Sequence, residues 1–442
     1  NYMLKISCYS FSAKQYKCNK KIKDYVQGTI MDSLRTSKRK LFLAVSHLTI
    51  AGLLIGQHAN ADDNWKLSLK NAYINRDFDD TAVKDTGSWS QGISLFYNSD
   101  YKPTPIDQLE IGLDGSVQYA VRLSDDKHVA DTVLPFDTKT QSQADDFLKY
   151  GATLKLKYND NILKVGELWL DLPVTSVDAS RQLLASYLGV NFHSKINEKL
   201  TLEAGRVTKV SPRNQEGFHK FTYTSNGVKH DSDGLNYIDL RYQFNDNLKA
   251  EYYFGNLEDL YDKHYLGLDH QYKINDKLSL LSKFKYFNAQ DSGSGLDIDS
   301  QNIGLIETLK YDNHSFGIGY QKIVGDAYPI PDGFLPELYF INWNVTGFFK
   351  KEEQSYHFIY AYNFKDYIPG LNAIAKYSYG DQIKMDNGKE NQESELNLIG
   401  SYNFQQPALK GVGLQYLYAK YDVDYGKDFD ENRVFLTYTK KF

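Results

Sequence analysis

At 442 residues the chain could hold two or three ordinary soluble domains or one large β-barrel. Its 36 Tyr and 24 Phe stand against only 10 Pro, and no apolar run reaches the roughly 20 residues of a membrane-spanning helix. Residues 1–61 hold 10 of the 51 basic and 2 of the 56 acidic side chains, so the remainder carries 41 against 54, a balance of about −13 that excludes nucleic acid as a partner, since phosphate binding needs a basic face.

The first 30 residues fit no secretory pattern, because they hold both cysteines, Cys8 and Cys18, and a lysine cluster. Met31 is the expected start. From there Arg35, Lys38, Arg39 and Lys40 precede the apolar run LFLAVSHLTIAGLLI at 41–55, and the small residues ANA follow at 59–61. Basic segment, short apolar segment and small residues at a cut site make a secretory signal, with cleavage expected after Ala61. A buried core helix is the alternative for 41–55, and its flanks speak against that. The mature chain then has no cysteine and no disulfide.

Beyond Asp62 one grammar repeats: runs of about 10 to 14 residues with alternating parity, separated by turn-rich segments. In LEIGLDGSVQYAVRL, Leu109, Ile111, Leu113, Val117, Tyr119 and Val121 share one face, and Glu110, Asp114, Ser116, Gln118 and Arg122 the other. Similar runs begin at Phe147, Leu235, Asn247, Lys277, Asn313, Ser355, Leu371, Glu395 and Val412. The count of candidate strands is about 18 or 19. Tight links such as NDN at 159–161, NDN at 245–247 and NDK at 275–277 alternate with long polar segments at 124–145, 211–233 and 381–392. One rim of turns and one of loops is the arrangement of a transmembrane β-barrel, here spanning 62–442. Strands of this length match a hydrocarbon layer, whereas those of a soluble sandwich run to about 5 or 6 residues.

The apolar parity is therefore expected to face outer-membrane lipid and the polar parity a water-filled lumen. Aromatic residues close many runs, among them Tyr97, Tyr158, Phe244, Tyr362, Phe364 and Phe404, as interfacial girdles do. The last stretch, RVFLTYTKKF, reads as the closing strand, with Val434, Leu436, Tyr438 and Phe442 toward lipid. Its terminal Phe442 resembles the signal by which such barrels reach their insertion machinery, while Lys440 on the same parity would snorkel into water. By parity, Arg122, Arg241, Lys155, Lys157, Lys283, Lys285 and Lys376 point into the lumen, and Arg76 and Arg206, near strand ends, are expected to join the basic pore lining. A row of like charges in a low-dielectric channel raises the local concentration of counter-ions.

Catalytic chemistry finds little support. No G-x-S-x-G, H-E-x-x-H, C-x-x-C or phosphate-binding glycine loop occurs. His193, His264, His270, His314 and His357 are scattered without metal-ligand spacing, so neither cofactor nor metal is expected. Glu258, Asp259 and Asp262 in NLEDLYD lack an EF-hand pattern and read as a solvated acidic loop rather than a cation site. Two alternatives to a channel stay open: a barrel hydrolase with a triad at its rim, and a structural or adhesin barrel with a plugged lumen. The loops are short for the latter.

Several stretches together resemble the OprD family of outer-membrane porins, the outer-membrane carboxylate channels: NAYINRDF at 71–78, LKVGELWLDLPVTSVDASRQL at 163–183, LTLEAGRVTKVSPRN at 200–214, AEYYFGNLEDLYDKHYLGLDH at 250–270 and SFGIGYQKIVGDAYPIPDGF at 315–334. The resemblance covers 62–442 in order. It implies a monomeric 18-stranded barrel narrowed by inward-folded loops. A ladder of basic side chains would lead small carboxylate-bearing solutes through it, amino acids and some antibiotics among them. On that pattern Arg181 matches a ladder arginine at the end of the third loop, and Asp326 the acidic constriction residue of the seventh. Lys285 and Lys376 fall where relatives tend to carry arginine. Gln415 and Leu417 also stand at arginine positions, and the mature chain has 7 Arg against 34 Lys. Lysine lacks the planar fork that grips a carboxylate, so a weaker or altered preference is implied.

Overall fold

The computed structural model describes residues 64–173, 175–293, 295–332 and 343–442. The expected signal at 1–61, with its start at Met31 and cut after Ala61, lies outside these residues, as do Val174, Gly333 and Phe334 of the two expected constriction loops.

Eighteen strands form one antiparallel barrel. The first nine are β1 Trp65–Phe78, β2 Trp89–Asn98, β3 Leu109–Arg122, β4 Asp146–Tyr158, β5 Asn161–Leu168, β6 Ser186–Lys195, β7 Leu200–Ser211, β8 Leu235–Asn245 and β9 Leu248–Leu257. The rest are β10 Tyr261–Lys273, β11 Leu278–Asp291, β12 Asp299–Tyr311, β13 His314–Gly325, β14 Gln354–Asn363, β15 Leu371–Lys384, β16 Glu390–Asn403, β17 Val412–Val423 and β18 Phe429–Lys441. Each strand pairs with the next, and β18 returns to β1 in a register running from Lys66 opposite Lys441 to Phe78 opposite Phe429. Closure leaves no sheet edge, which hydrocarbon demands, since an unpaired backbone group there costs several kcal/mol.

The alternation read from the sequence sets the two faces. On β18, Val434 and Leu436 are 36% and 47% exposed, whereas Arg433 and Phe435 between them are 6% and 7% exposed. The apolar parity therefore meets lipid, and the polar parity is inside. On β4, Leu148, Tyr150 and Leu154 point out while Lys149, Thr153 and Lys155 are buried.

One rim is made of tight turns, such as 159–160, 246–247 and 312–313. Asn159 and Asp312 take positive φ there (53° and 51°), a conformation their short polar side chains tolerate. A recurrent Asn closes other turns: Asn245 Oδ1 accepts the N–H groups of Asn247 and Leu248 (2.9 and 3.0 Å), and Asn275 Oδ1 those of Lys277 and Leu278 (2.9 Å each). Aromatic pairs flank this rim, including Tyr362 with Phe364 (4.6 Å) and Tyr402 with Phe404 (4.9 Å), at the height where amphipathic rings meet headgroups. The opposite rim carries the long loops 123–145, 169–185, 212–234 and 326–353.

The lumen is filled asymmetrically. Inward Tyr253, Tyr265 and Phe287 of β9–β11 pack with Leu172, Phe221 and Tyr328 of the loops. Each such side chain, fully buried, contributes about 1.5–3 kcal/mol. The open space consequently lies largely against β1, β2 and β16–β18.

These faces make a measurable distinction between neighbours. Leu436→Lys, on the lipid face near mid-strand, is expected to destabilise the barrel by about 2–4 kcal/mol in urea unfolding from liposomes, whereas Thr437→Lys, facing the lumen, is expected to change it little. Equal costs at both positions would reverse the assignment of faces.

Candidate functional site in the barrel lumen

Two loops turn inward and define the constriction. The first, 169–185, buries Leu170, Leu172 and Leu183, so its apolar content draws it into the barrel instead of outward into water. Polar groups of the wall then fix its path. Gln182 Nε2 donates to Lys70 O (2.9 Å), Ser90 Oγ donates to Gln182 Oε1 (3.1 Å), and the Leu184 N–H donates to Gln118 Oε1 (3.0 Å). Gly92 leaves room for this approach, because a β-carbon there would lie 2.1 Å from Gln182 Nε2 and displace it. Lys149, 2% exposed, donates to Leu184 O (2.5 Å), Ser211 O (3.1 Å) and Pro212 O (2.8 Å), and so ties this loop to the next.

The second loop, 326–353, is held at both limbs. Lys263 Nζ donates to Pro329 O (3.1 Å) and lies 4.1 Å from the Tyr328 ring centroid. Asp332 accepts the hydroxyls of Thr222 and Thr224 (2.9 and 2.7 Å). On the return limb, the Val345 and Thr346 N–H groups donate to Glu395 (2.7 and 2.8 Å).

Between these loops and the short-turn rim runs a cavity of about 1080 Å³. Its cations are Lys66 and Lys70 of β1, Arg433 of β18, Arg181, Arg213 and Lys350. Arg213 pairs with Asp178 (2.5 Å), while Glu431 sits between Arg433 and Arg76, the latter at 2.6 Å. Arg181 Nε donates to Thr132 Oγ1 (2.7 Å) and Nη1 to Ser180 O (3.2 Å), and no described carboxylate lies within 4.0 Å of it. Burial first, then the charges of Arg433 and Arg213, push the Arg181 guanidinium well down from its ordinary value. A guanidinium keeps its proton nonetheless, so the crowding acts as demand for an anion. Along β16 the wall is closed by an ion pair: Glu393, itself buried, accepts from Lys350 and from the Tyr421 hydroxyl, beside buried Glu353.

Two adjoining spaces of about 530 and 580 Å³ lie against β8–β12. There each lining cation except Lys199 already has a carboxylate. Arg241 meets Asp239 and Glu251 at 2.9 Å, and Lys285 and Lys283 meet Asp269 at 3.0 and 3.9 Å.

The expected residues therefore divide. Arg181 lines the main cavity, Arg241, Lys283 and Lys285 line the side spaces, and Arg76 lines none of the three, its guanidinium held by Glu431. Lys376 faces inward but is fully buried. Arg122 sits at the long-loop rim, bound to Asp145 (2.5 Å) and Ser124 O (3.0 Å). Arg206 shares the parity of Leu202 and Ala204, opposite the inward Glu203, and is paired with Glu258 and Asn236; parity places it on the outer face, away from the pore lining. Asp326 is at the base of its loop with Lys351 (2.9 Å), and the acids at the cavity are instead Asp178 and Glu393. In the acidic stretch, Glu258 serves Arg206 and Asp262 accepts from Asn256 (2.6 Å). Lys66, Lys70, Arg213, Lys350 and Arg433 were not singled out from sequence. The signal was present for three: Lys66 and Lys70 share one parity of β1 with Arg76, and Arg433 alternates with lipid-facing Val434.

Residues 60–442 match the family described as outer membrane porin, OprD family. The chain is similar to OccAB4 of Acinetobacter baumannii, whose crystal structure superposes with a TM-score of 0.84 at 64% identity, covering 86% of this chain and 98% of that one. Pseudomonas aeruginosa OpdK, crystallised with vanillate, superposes at 0.79 with 27% identity over 86% of this chain and 98% of its own. The porin-like protein GalP of Pseudomonas putida is 26% identical over 397 residues, 85% of this chain and 92% of GalP.

The paired acids carry a pH signature. Burial, and next to it the Glu393 charge, raise the Glu353 carboxyl well above 4.5, so the folded barrel holds a proton that the unfolded chain releases. With fewer protons bound in the unfolded state, stability falls as pH rises above the ordinary glutamate range. Glu353→Gln is expected to flatten that decline and to be more stable than the wild type at pH 8 in thermal unfolding; an unchanged slope would contradict it.

Proposed function

This chain belongs to the OprD family of outer-membrane porins, and from that premise we propose that its channel passes small carboxylate-bearing solutes down their gradient along the basic wall of the main cavity. The family places it in the bacterial outer membrane. Relatives are porins by name, which favours a channel over a barrel hydrolase or an adhesin. The observation that carries the substrate reading is the convergence of Arg181, Arg433, Arg213 and Lys70 on one side of a single cavity. OpdK, which shares the fold, was crystallised with vanillate, a carboxylate, and this agrees with the reading.

The chemistry follows from that arrangement. A carboxylate entering from the long-loop rim meets Arg76, then the Arg433 and Arg181 guanidiniums, then Lys70 and finally Lys66 near the short-turn rim. Guanidinium forks give the tight, oriented contact where the lumen is narrow, and ammonium groups offer looser point charges toward the exit. Conduction needs binding that is favourable but shallow. Glu431 and Asp178, already paired with Arg433 and Arg213, temper the well so that it does not become a trap. Glu393 already holds Lys350, so a zwitterion such as an amino acid would be oriented by its carboxylate at the basic wall. Gln415 and Leu417 leave the β17 wall neutral. Antibiotics that bear a carboxylate would follow the same wall. Export by the signal ending at Ala61, assembly through the closing strand and a monomeric state complete the proposal.

In planar bilayers across a salt gradient, small carboxylates should block or modulate discrete currents. Arg181→Gln or Arg433→Gln is expected to weaken that effect about tenfold, the scale of one charged hydrogen-bonding partner lost. Arg206→Gln, outside the lumen, should leave it unchanged. A folded wild-type barrel indifferent to carboxylates would overturn the substrate assignment.

A further inference from the structure

Four consecutive residues of the 326–353 return limb, 343–346, are fastened to the inner wall formed by β15 and β16. Lys376 Nζ donates to Asn344 Oδ1 (2.5 Å) and lies 4.1 Å from the Trp343 ring centroid. Asn344 Nδ2 donates to Ser378 Oγ (3.0 Å) and Asn397 Oδ1 (3.3 Å), and the next two N–H groups reach Glu395. Lys376, Ser378 and Glu395 are all fully buried. Burying so many polar groups is costly unless their geometry is satisfied, and here the satisfied geometry fixes a single side chain.

That side chain is Trp343. It lines the main cavity and also the adjoining space against β10–β12, so its ring stands between the two parts of the lumen. By parity Lys376 faces the lumen, as Lys285 does on β11, yet Lys285 lines a cavity and Lys376 lines none of those named above. The difference is the cover. An indole face within about 6 Å attracts an ammonium group by its quadrupole while excluding water and anions from it.

We propose that Trp343 is a specificity-determining residue of the channel, dividing the lumen and covering Lys376 so that this ammonium stays out of the anion path. The inference rests on the channel reading and deepens it. With Lys376 covered, the only described charges that the β15–β16 side shows the cavity are the Lys350–Glu393 ion pair, and the cavity keeps a single basic wall. Uncovered, the ammonium would add a second cationic position to the lumen, where an anion could lodge away from the arginines.

Two readouts test this on the mature barrel, with heat-modifiable gel mobility reporting that each variant is folded. The first needs no current: labelling of Lys376 by trinitrobenzenesulfonate, a small anionic amine reagent, quantified by peptide mass spectrometry. Trp343→Ala should label at least about tenfold faster than wild type, and Trp343→Phe should stay protected because its ring keeps the cation contact. The second is single-channel recording in a chloride gradient. Trp343→Ala should raise unitary conductance about twofold and shift the reversal potential toward chloride, while Trp343→Ala with Lys376→Met should keep the conductance gain and lose the shift. Unchanged labelling in folded Trp343→Ala would sink the cover, and an equal chloride shift with and without Lys376 would sink its role in selectivity. A silent wild type would instead overturn the channel reading on which selectivity depends, with the labelling still deciding whether Trp343 covers Lys376.

Discussion

Everything in this molecule depends on the closure of β18 onto β1. Hydrocarbon offers no partner for a peptide group, so a sheet that crosses it must pair every strand, and the register from Lys66–Lys441 to Phe78–Phe429 completes the circle. Closure also decides where polarity goes. Period-two alternation then turns Val434 and Leu436 toward lipid and leaves Arg433, on the same strand, no environment except the lumen. The functional charges are thus a by-product of the same alternation that lets the strand exist in a membrane.

A lumen enclosed by eighteen strands is too wide to select by itself, and the narrowing has to come from loops. These loops carry two kinds of attachment. Apolar residues such as Leu172 and Tyr328 supply the driving force by packing on the tyrosines of β9–β11. Buried lysines supply the exact placement: Lys149, Lys263 and Lys376 each donate to a loop oxygen, and two of them also lie over aromatic rings. Because one side of the barrel is filled, the remaining passage is pressed against β1 and β18, where the arginines are. Packing and electrostatics consequently select the same wall.

Much of the architecture was legible in the sequence, because a strand in lipid must show its parity openly. The closing strand, the N-D-N turns and the long loops at 124–145 and 211–233 follow from local pattern, whereas the polar run 381–392 continues two paired strands and leaves only 385–389 as a turn. Face assignment was readable too, but parity was not applied to Arg206, expected in the pore lining: it follows Leu200, Leu202 and Ala204 on one parity, and that pattern alone sets it outside. What parity cannot give is depth along the barrel or the identity of the partner across it. Lys285 and Lys376 look alike in sequence, both inward on mid-barrel strands. Only the return of Trp343 and Asn344 to the β15 wall separates a cation that lines space from one that is sealed. Asp326 illustrates the same limit, since its place beside Lys351 depends on where the loop leaves β13 and not on its motif.

The division of labour between the two cations gives the charge count a different meaning. A chain with 7 Arg and 34 Lys beyond residue 61 looks poorly equipped to hold carboxylates. Yet Arg181, Arg213 and Arg433 gather at one cavity, with Asp178 on Arg213 and Glu431 bridging Arg433 to Arg76, while the sealed lysines serve as fasteners. This distribution follows from the side chains themselves. An ammonium group on a flexible stem can be surrounded by carbonyl oxygens and a ring face and so be retired from the solvent. A guanidinium presents more donors than a crowded wall can satisfy, and Arg181, with a threonine and a serine as its partners, keeps donors turned to the cavity. Selectivity in such a barrel is therefore set less by how many cations it carries than by which of them its loops leave uncovered.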